Sequence, residues 1–156
     1  MKIAIGADHA GFEVKKALVK QLQGMGHQVL DFGTNSAESC DYPIFAEKVA
    51  KSVSSKESER GIVVCGNGIG MSIVANKVPG IRAALVFTEK MAKETREHND
   101  SNVLSLAGRD LSVETNLKLA DIWLKTPFTH EERHARRVHE IEEIEDEYLK
   151  QEPAPK

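Results

Sequence analysis

Apolar and polar residues follow two different periods along this chain. Five short apolar runs, each ended by glycine or by polar residues, have the pattern of strands buried on both faces of a parallel sheet. Between them, apolar residues three or four positions apart predict amphipathic helices. The alternation predicts a three-layer α/β/α sandwich around a five-stranded, parallel, Rossmann-like sheet. The expected strands are residues 2–7, 27–32, 61–65, 82–87 and 102–106.

The length of 156 residues predicts a single domain over residues 1–150. Its last helix is expected at about 129–149, opened by a capping box formed by Thr129 and Glu132. An apolar stripe late in this helix suits packing on a partner subunit. The tail, residues 151–156, holds two prolines and is expected to be flexible.

Composition narrows the classes of function. The formal net charge of -3 argues against a nucleic-acid or membrane-surface role. No apolar run approaches the ~20 residues of a membrane span, and Met1 leads directly into a strand pattern. We therefore expect no signal peptide and a cytoplasmic location. Two cysteines, Cys40 and Cys65, do not make a disulfide framework and are expected to be reduced.

The stretch GIVVCGNGIGMSIVANK, residues 61–77, joins a strand to a helix through Gly66, Gly68 and Gly70. Backbone N–H groups of such a turn can converge on an anion. The glycine spacing differs from the dinucleotide fingerprint, and Met71 stands where a phosphate-binding loop would carry lysine. The turn therefore fits a small anion better than a nucleotide, although a plain tight connection would also use glycines.

Cys65 ends the third strand, at the mouth of this turn. A free cysteine is usually a small buried hydrophobe, whereas a thiol beside a helix N-terminus is favoured as the thiolate. The residues alone leave both interpretations open. Cys40 lies in a polar loop, where the structural interpretation is preferred.

Further polar residues stand in the predicted connections. Because ligands of doubly wound sheets bind at the carboxyl ends of the strands, we expect Asp8, His9, the loop 34–42, His98 and Arg109 to share one edge with the glycine turn. His98 could be a helix-terminal histidine or a general acid or base.

The last helix adds two arginines with a common face. Arg133 and Arg137 lie four positions apart, which suits a phosphate clamp as well as a solvated face. No histidine spacing indicates a metal site, and no cofactor motif is present. An anion hole, a thiol, a histidine and two arginines together fit cofactor-free proton transfer next to a carbonyl of a phosphorylated metabolite.

Several ordered motifs carry a family resemblance over residues 2–148: IGADHAG, DFGT, DYP, CGNGIGMSIVANKVPGIRAA, EHNDSNVL and RHARRV. The chain resembles the ribose-5-phosphate isomerase type B group, which also contains allose- and galactose-6-phosphate isomerases. The resemblance implies an aldose–ketose isomerase that interconverts ribose 5-phosphate and ribulose 5-phosphate in the non-oxidative pentose phosphate pathway. It implies no metal or other cofactor, and a homodimer, in some members a dimer of dimers, with sites at the interface.

The resemblance also implies residue roles. Cys65 would move the proton between neighbouring carbons through an enediolate, and His98 would open the sugar ring with Asp8 opposite. The other matched positions would hold the substrate: the enediolate oxygens at the turn of Gly66, Asn67, Gly68, Ile69 and Gly70, the phosphate at His9, Arg133, Arg137 and, across a dimer, Arg109, and the sugar hydroxyls at Tyr42 and Asn99.

Two departures accompany the resemblance. Asn67 stands where threonine or serine often assists ring opening; it is counted among the catalytic candidates because an amide can orient a ring oxygen, although it cannot shuttle a proton as a hydroxyl does. Glu131 and Glu132 replace common glycines before Arg133. Two alternatives stay open: an isomerase of a six-carbon sugar phosphate such as allose 6-phosphate, and a sugar-phosphate-binding module without turnover.

Overall fold

The computed structural model describes residues 1–150, so the prediction for the tail falls outside the described part. Five parallel strands form one sheet in the order β2-β1-β3-β5-β4. The predicted strands are all present, with ends that differ by up to two residues. They are β1 Lys2–Ala7, β2 Gln28–Asp31, β3 Arg60–Cys65, β4 Ala83–Leu85 and β5 Val103–Ala107.

Helices cover both faces of the sheet, as the three-layer prediction requires. The helices are α1 Phe12–Gly24, α2 Tyr42–Ser54, α3 Ile69–Ala75, α4 Glu89–Asn99, α5 Val113–Lys125 and α6 Glu132–Leu149. Apolar side chains of α1, α4 and α5 form one core with one face of the sheet. Those of α2 and α3 form a second core on the other face.

The sheet order opens a crevice between β1 and β3. These strands are neighbours, with Ala7 paired to Val64, and Cys65 at the end of β3 is paired to Ala107 of β5. Because α1 follows β1 and α3 follows β3, and the two helices lie on opposite faces of the sheet, the connections after β1 and β3 diverge. A ligand can therefore enter between their carboxyl ends.

The first turns of three helices show which of the candidate capping side chains form a cap. Thr88 and Ser112 cap α4 and α5 by accepting the amides of Met91 and Thr115. The predicted cap at Thr129 is wrong, because α6 begins only at Glu132 and no side chain caps it. The Thr129 hydroxyl donates to the Glu97 carbonyl of α4 at 2.9 Å and accepts the amide of Glu131, which precedes the helix.

The last helix, α6, is only loosely covered by its own chain. Of its 18 residues, all within the described part, only His134 and Val138 are buried. Ion pairing between Arg82 and Glu142 ties it to the start of β4, while Ile141, Ile144 and Tyr148 are exposed. None of the helices in residues 1–150 is long and apolar enough to cross a membrane.

Candidate active site

The glycine turn places backbone donors around the Cys65 thiol. Gly68 has φ of 76°, the left-handed region that favours glycine, and its N–H donates to Cys65 Sγ at 3.2 Å. Cys65 is a free cysteine with 4% of its surface exposed. The Gly68 N–H is therefore a hydrogen-bond donor aimed at the sulfur, and the thiolate is the form of a cysteine that acts as base or nucleophile.

Another glycine of the turn permits the close approach of a side chain. A Cβ at Gly70 would lie 2.5 Å from Cζ of Tyr42, so the tyrosine ring covers this part of the turn and requires glycine there. At Gly66 a Cβ would lie 3.6 Å from Cδ of Arg109, an ordinary contact distance, so Arg109 packs beside this residue without requiring a glycine.

The crevice is a cavity of about 520 Å³, a size typical of small-molecule sites. Asp110 and the exposed Ile73 also line it, and the sequence analysis singled out neither residue as part of a site. The cavity brings together nine of the predicted site residues: Asp8, His9, Tyr42, Cys65, Gly66, Asn67, Ile69, Gly70 and Arg109.

Asp8 and His9 are held by backbone groups at the end of β1. One carboxylate oxygen of Asp8 accepts the amides of Ala10 at 2.9 Å and Gly11 at 3.1 Å. Nδ1 of His9 accepts the amide of Cys40 at 3.2 Å. Because Nδ1 is the acceptor, neutral His9 carries its proton on Nε2, where it can serve an anionic ligand.

Arg109 lies on a loop that is fastened to the glycine turn. The amide of Gly108 donates to the Cys65 carbonyl at 2.7 Å, and that of Arg109 to the Gly66 carbonyl at 2.9 Å. The resemblance implied that Arg109 acts across a dimer, whereas the structure places it in the cavity of its own chain. Asn116, fully buried, donates to the Ala107 carbonyl and supports this loop, a role that no sequence pattern indicated.

Asn67 makes a contact within the turn itself. Its side-chain oxygen accepts the amide of Ile69 at 3.0 Å, at the start of α3. This satisfies one N–H of the first helical turn. The side chain of Asn67 thus supports the backbone of the turn while the residue lines the cavity.

The expectation that His98 shares the edge of Cys65 is wrong within one chain. The helix α4 starts after β4 at the carboxyl edge, so its last turn, with His98 and Asn99, lies at the opposite edge, where β5 begins. There Arg82, just before β4, donates to the Asn99 carbonyl. In a β-α-β unit the connection after a helix always meets the amino ends of the strands.

The arginines of α6 lie beside His98. The rings of His98 and His134 stack with centroids 4.4 Å apart and planes 10° from parallel. Arg133 forms an exposed ion pair with Glu131 at 3.1 Å, and the next turn of the helix presents Arg137. The chain thus carries two separate polar clusters at opposite edges of its sheet.

Burial sets the charge of His134. Desolvation lowers the pKa of His134, and the nearby His98, Arg133 and Arg137 lower it further, against the opposing effect of Glu131. His134 is therefore favoured in its neutral form. A neutral ring can stack on His98 without charge repulsion.

The fold and the cavity define an α/β protein whose Cys65 thiol and glycine turn line a crevice at the switch point of its sheet. Within residues 1–150, no group of three histidine, cysteine or acidic side chains is arranged to hold a metal ion. The model of the Ribose/Galactose Isomerase family matches residues 3–141. The chain belongs to this family.

Named relatives are similar along nearly their whole length. Ribose-5-phosphate isomerase B of Escherichia coli is 42% identical over 144 residues, 92% of this chain and 96% of the relative. The structure of Clostridium thermocellum ribose-5-phosphate isomerase B has a TM-score of 0.92 and 51% identity, covering 95% of this chain and 99% of that one. The Mycoplasma genitalium enzyme, solved with bound ribulose-5-phosphate, has a TM-score of 0.89 and 39% identity, with coverages of 94% and 97%.

Proposed function

We propose that this protein is a ribose-5-phosphate isomerase that interconverts ribose 5-phosphate and ribulose 5-phosphate in the non-oxidative pentose phosphate pathway. The observation that supports it most strongly is the Cys65 thiol, held by the Gly68 amide at the wall of a cavity that also contains His9 and Arg109. Relatives that are similar over 92% and 95% of this chain carry the same activity in their names.

In the proposed reaction Cys65 is the base. Its thiolate takes the proton from the carbon next to the carbonyl, the hydroxyl proton on that carbon passes to the former carbonyl oxygen, and the resulting thiol returns the carbon-bound proton to the former carbonyl carbon. The negative charge that develops on the enediolate oxygens is stabilised by backbone N–H groups of the glycine turn other than those of Gly68 and Ile69, which donate to Cys65 Sγ and to the Asn67 side chain. His9 Nε2–H and Arg109 lie on the cavity wall, where both can contact a phosphate.

We propose further that the working enzyme is a homodimer in which each site uses two subunits. His98, Asn99, Arg133 and Arg137 lie at the opposite edge from Cys65 and cannot reach the cavity of their own chain. A second copy related by a twofold axis would bring its own His98 cluster to this cavity. His98 would then open the sugar ring beside Asp8, and the two arginines would bind the phosphate.

Exposed apolar residues support this arrangement. Ile69 and Ile73 line the cavity and are 48% and 55% exposed, while α6 exposes Ile141 and Ile144 at 45% and 57%. In a twofold dimer the apolar face of α6 in one subunit would pack against the cavity rim of the other, so that one interface would cover both patches. The proposal therefore accounts for the loose packing of α6.

Turnover measurements test the activity and separate its alternatives. The wild type should convert ribose 5-phosphate with a larger kcat/KM than allose 6-phosphate. The reverse preference would identify a six-carbon sugar-phosphate isomerase, and binding of both sugars without turnover of either would identify a binding module.

The role of His98 has its own test. His98→Asn should lose far more activity on cyclic ribose 5-phosphate than on an open-chain analogue, since only the cyclic form needs ring opening. Equal losses on both substrates would contradict the ring-opening role. His139→Asn, a change at an exposed histidine elsewhere on α6, is the matched control.

A further inference from the structure

One polar side chain lies in the buried face of the sheet under the glycine turn. Ser105, in the middle of β5, is fully buried and pairs with Val63 of β3 and Leu85 of β4. By the alternation of β5, it shares the face of Val103, which belongs to the apolar core with α2 and α3. A buried hydroxyl in such a place needs a hydrogen-bond partner.

That partner is the backbone of Gly68. The Ser105 hydroxyl donates to the Gly68 carbonyl at 2.6 Å, and the same carbonyl accepts the amide of Ser72, the first hydrogen bond of α3. The N–H of Gly68 in turn donates to Cys65 Sγ. Gly68 is thus the single residue that connects the Ser105 hydroxyl to the reactive sulfur through hydrogen bonds.

The turn is also pressed against β4 and β5 at this point. A Cβ on Gly68 would lie 2.5 Å from Cδ1 of Leu85 and 3.1 Å from the Leu106 carbonyl oxygen. Packing therefore limits how far Gly68 can move toward the strands, while the Ser105 hydroxyl holds its carbonyl from the strand side. Together these contacts fix the left-handed conformation that directs the Gly68 N–H at the sulfur.

We propose that Ser105 is a positioning residue that keeps the Gly68 amide aimed at Cys65 and so stabilises its thiolate. Ser105 does not line the cavity and makes no contact with substrate in this proposal. Its effect on thiolate formation depends only on Gly68 and Cys65. Its effect on turnover rests on the proposed isomerase function.

The test compares two buried serines. Ser105→Ala removes the hydroxyl below the turn. Ser101→Ala, the matched control, removes a buried hydroxyl that accepts Trp123 Nε1 at 2.8 Å, near the start of β5 at the opposite edge. Ser105→Thr restores a hydroxyl at the same position. Cys40→Ser is used as the background, so that alkylation by iodoacetamide reports on Cys65.

Loss of one hydrogen bond of ordinary net strength corresponds to roughly a fivefold effect. In Ser105→Ala we expect the midpoint of the alkylation pH profile to rise by about 0.7 pH units, the equivalent of that factor. The kcat for ribose 5-phosphate should fall by a similar factor with KM unchanged. Ser105→Thr should regain most of both losses, and Ser101→Ala should change neither.

An alkylation profile in Ser105→Ala equal to that of Ser101→Ala would overturn the proposal, whatever the kinetics show. A normal kcat accompanied by a shifted profile would also overturn the catalytic part. If the wild type did not isomerise ribose 5-phosphate, the alkylation experiment would still decide the role of Ser105. The two proposals can therefore fail separately.

Discussion

Mixed dimers with one defect in each subunit test whether Cys65 and His98 of different chains form one site. Cys65→Ala and His98→Asn subunits are produced together with different affinity tags, and dimers that carry both tags are isolated. If each site takes Cys65 from one chain and His98 from the other, one site in every mixed dimer has both defects and the other has none. The mixed dimer should therefore have about half the wild-type kcat per dimer.

The complementary pairing gives the opposite expectation. A subunit that carries both Cys65→Ala and His98→Asn is combined with a wild-type subunit. In a shared site each cavity then has one defect, so turnover should fall to the level of the single-variant homodimers. A site formed within one chain would reverse both results: the first mixture would be inactive, and the second would keep about half the activity. Such a reversal would refute the two-subunit arrangement.

Three further substitutions test single parts of the account. Gly70→Ala should displace the Tyr42 ring into the cavity and raise KM, because its Cβ would lie 2.5 Å from that ring. The control Gly24→Ala, whose Cβ meets nothing within 4 Å, should leave the kinetics unchanged. Equal KM values for the two variants would contradict the contact between Gly70 and Tyr42. Arg133→Ala should raise KM roughly tenfold at similar kcat, because it loses an interaction with the phosphate. Glu131→Gln should lower KM, because it frees Arg133 from its ion pair. A drop in kcat alone for Arg133→Ala would contradict the assignment of Arg133 as a phosphate ligand. In the wild type the lowered pKa of folded His134 means that, below pH 6.5, the ordinary pKa of histidine, the unfolded chain binds a proton there and the folded chain does not, so the free energy of unfolding falls as the pH falls. His134→Phe should make this fall smaller. Urea titrations in which the free energy of unfolding depends on pH as it does in the wild type would contradict the prediction.

The fold could be predicted because its signals are local. The apolar runs of the strands and the helical stripes depend on neighbours in sequence, and the caps at Thr88 and Ser112 form within one turn. The predicted cap at Thr129 failed for the complementary reason. Both the amide and the hydroxyl of Thr129 donate to the distant Glu97 carbonyl of α4, and the helix begins only after Thr129; no local pattern contains this contact.

The cavity was predictable for the same reason as the fold. Asp8 directly follows β1 and Cys65 ends β3, so the common direction of the parallel strands places them together. His98 follows a helix, and the same direction rule puts it at the other edge. Its placement beside Cys65 was therefore an error in applying topology rather than a lack of signal.

Other contacts had no signal in the sequence. Ser105 resembles any small residue in an apolar strand, and its bond to Gly68 joins positions 37 residues apart. Asn116 has the pattern of an ordinary helical residue, although it supports the loop of Arg109. Such residues act through the backbone of the turn and loop, and only the packed structure shows which backbone groups they meet.

The most direct test of the central claim is the turnover of ribose 5-phosphate by Cys65→Ala, measured beside calorimetric binding of the same sugar phosphate. We expect nearly complete loss of kcat with binding close to that of the wild type, because the variant removes the base and leaves His9 and Arg109 in place. Substantial turnover by Cys65→Ala would contradict the assignment of Cys65 as the base.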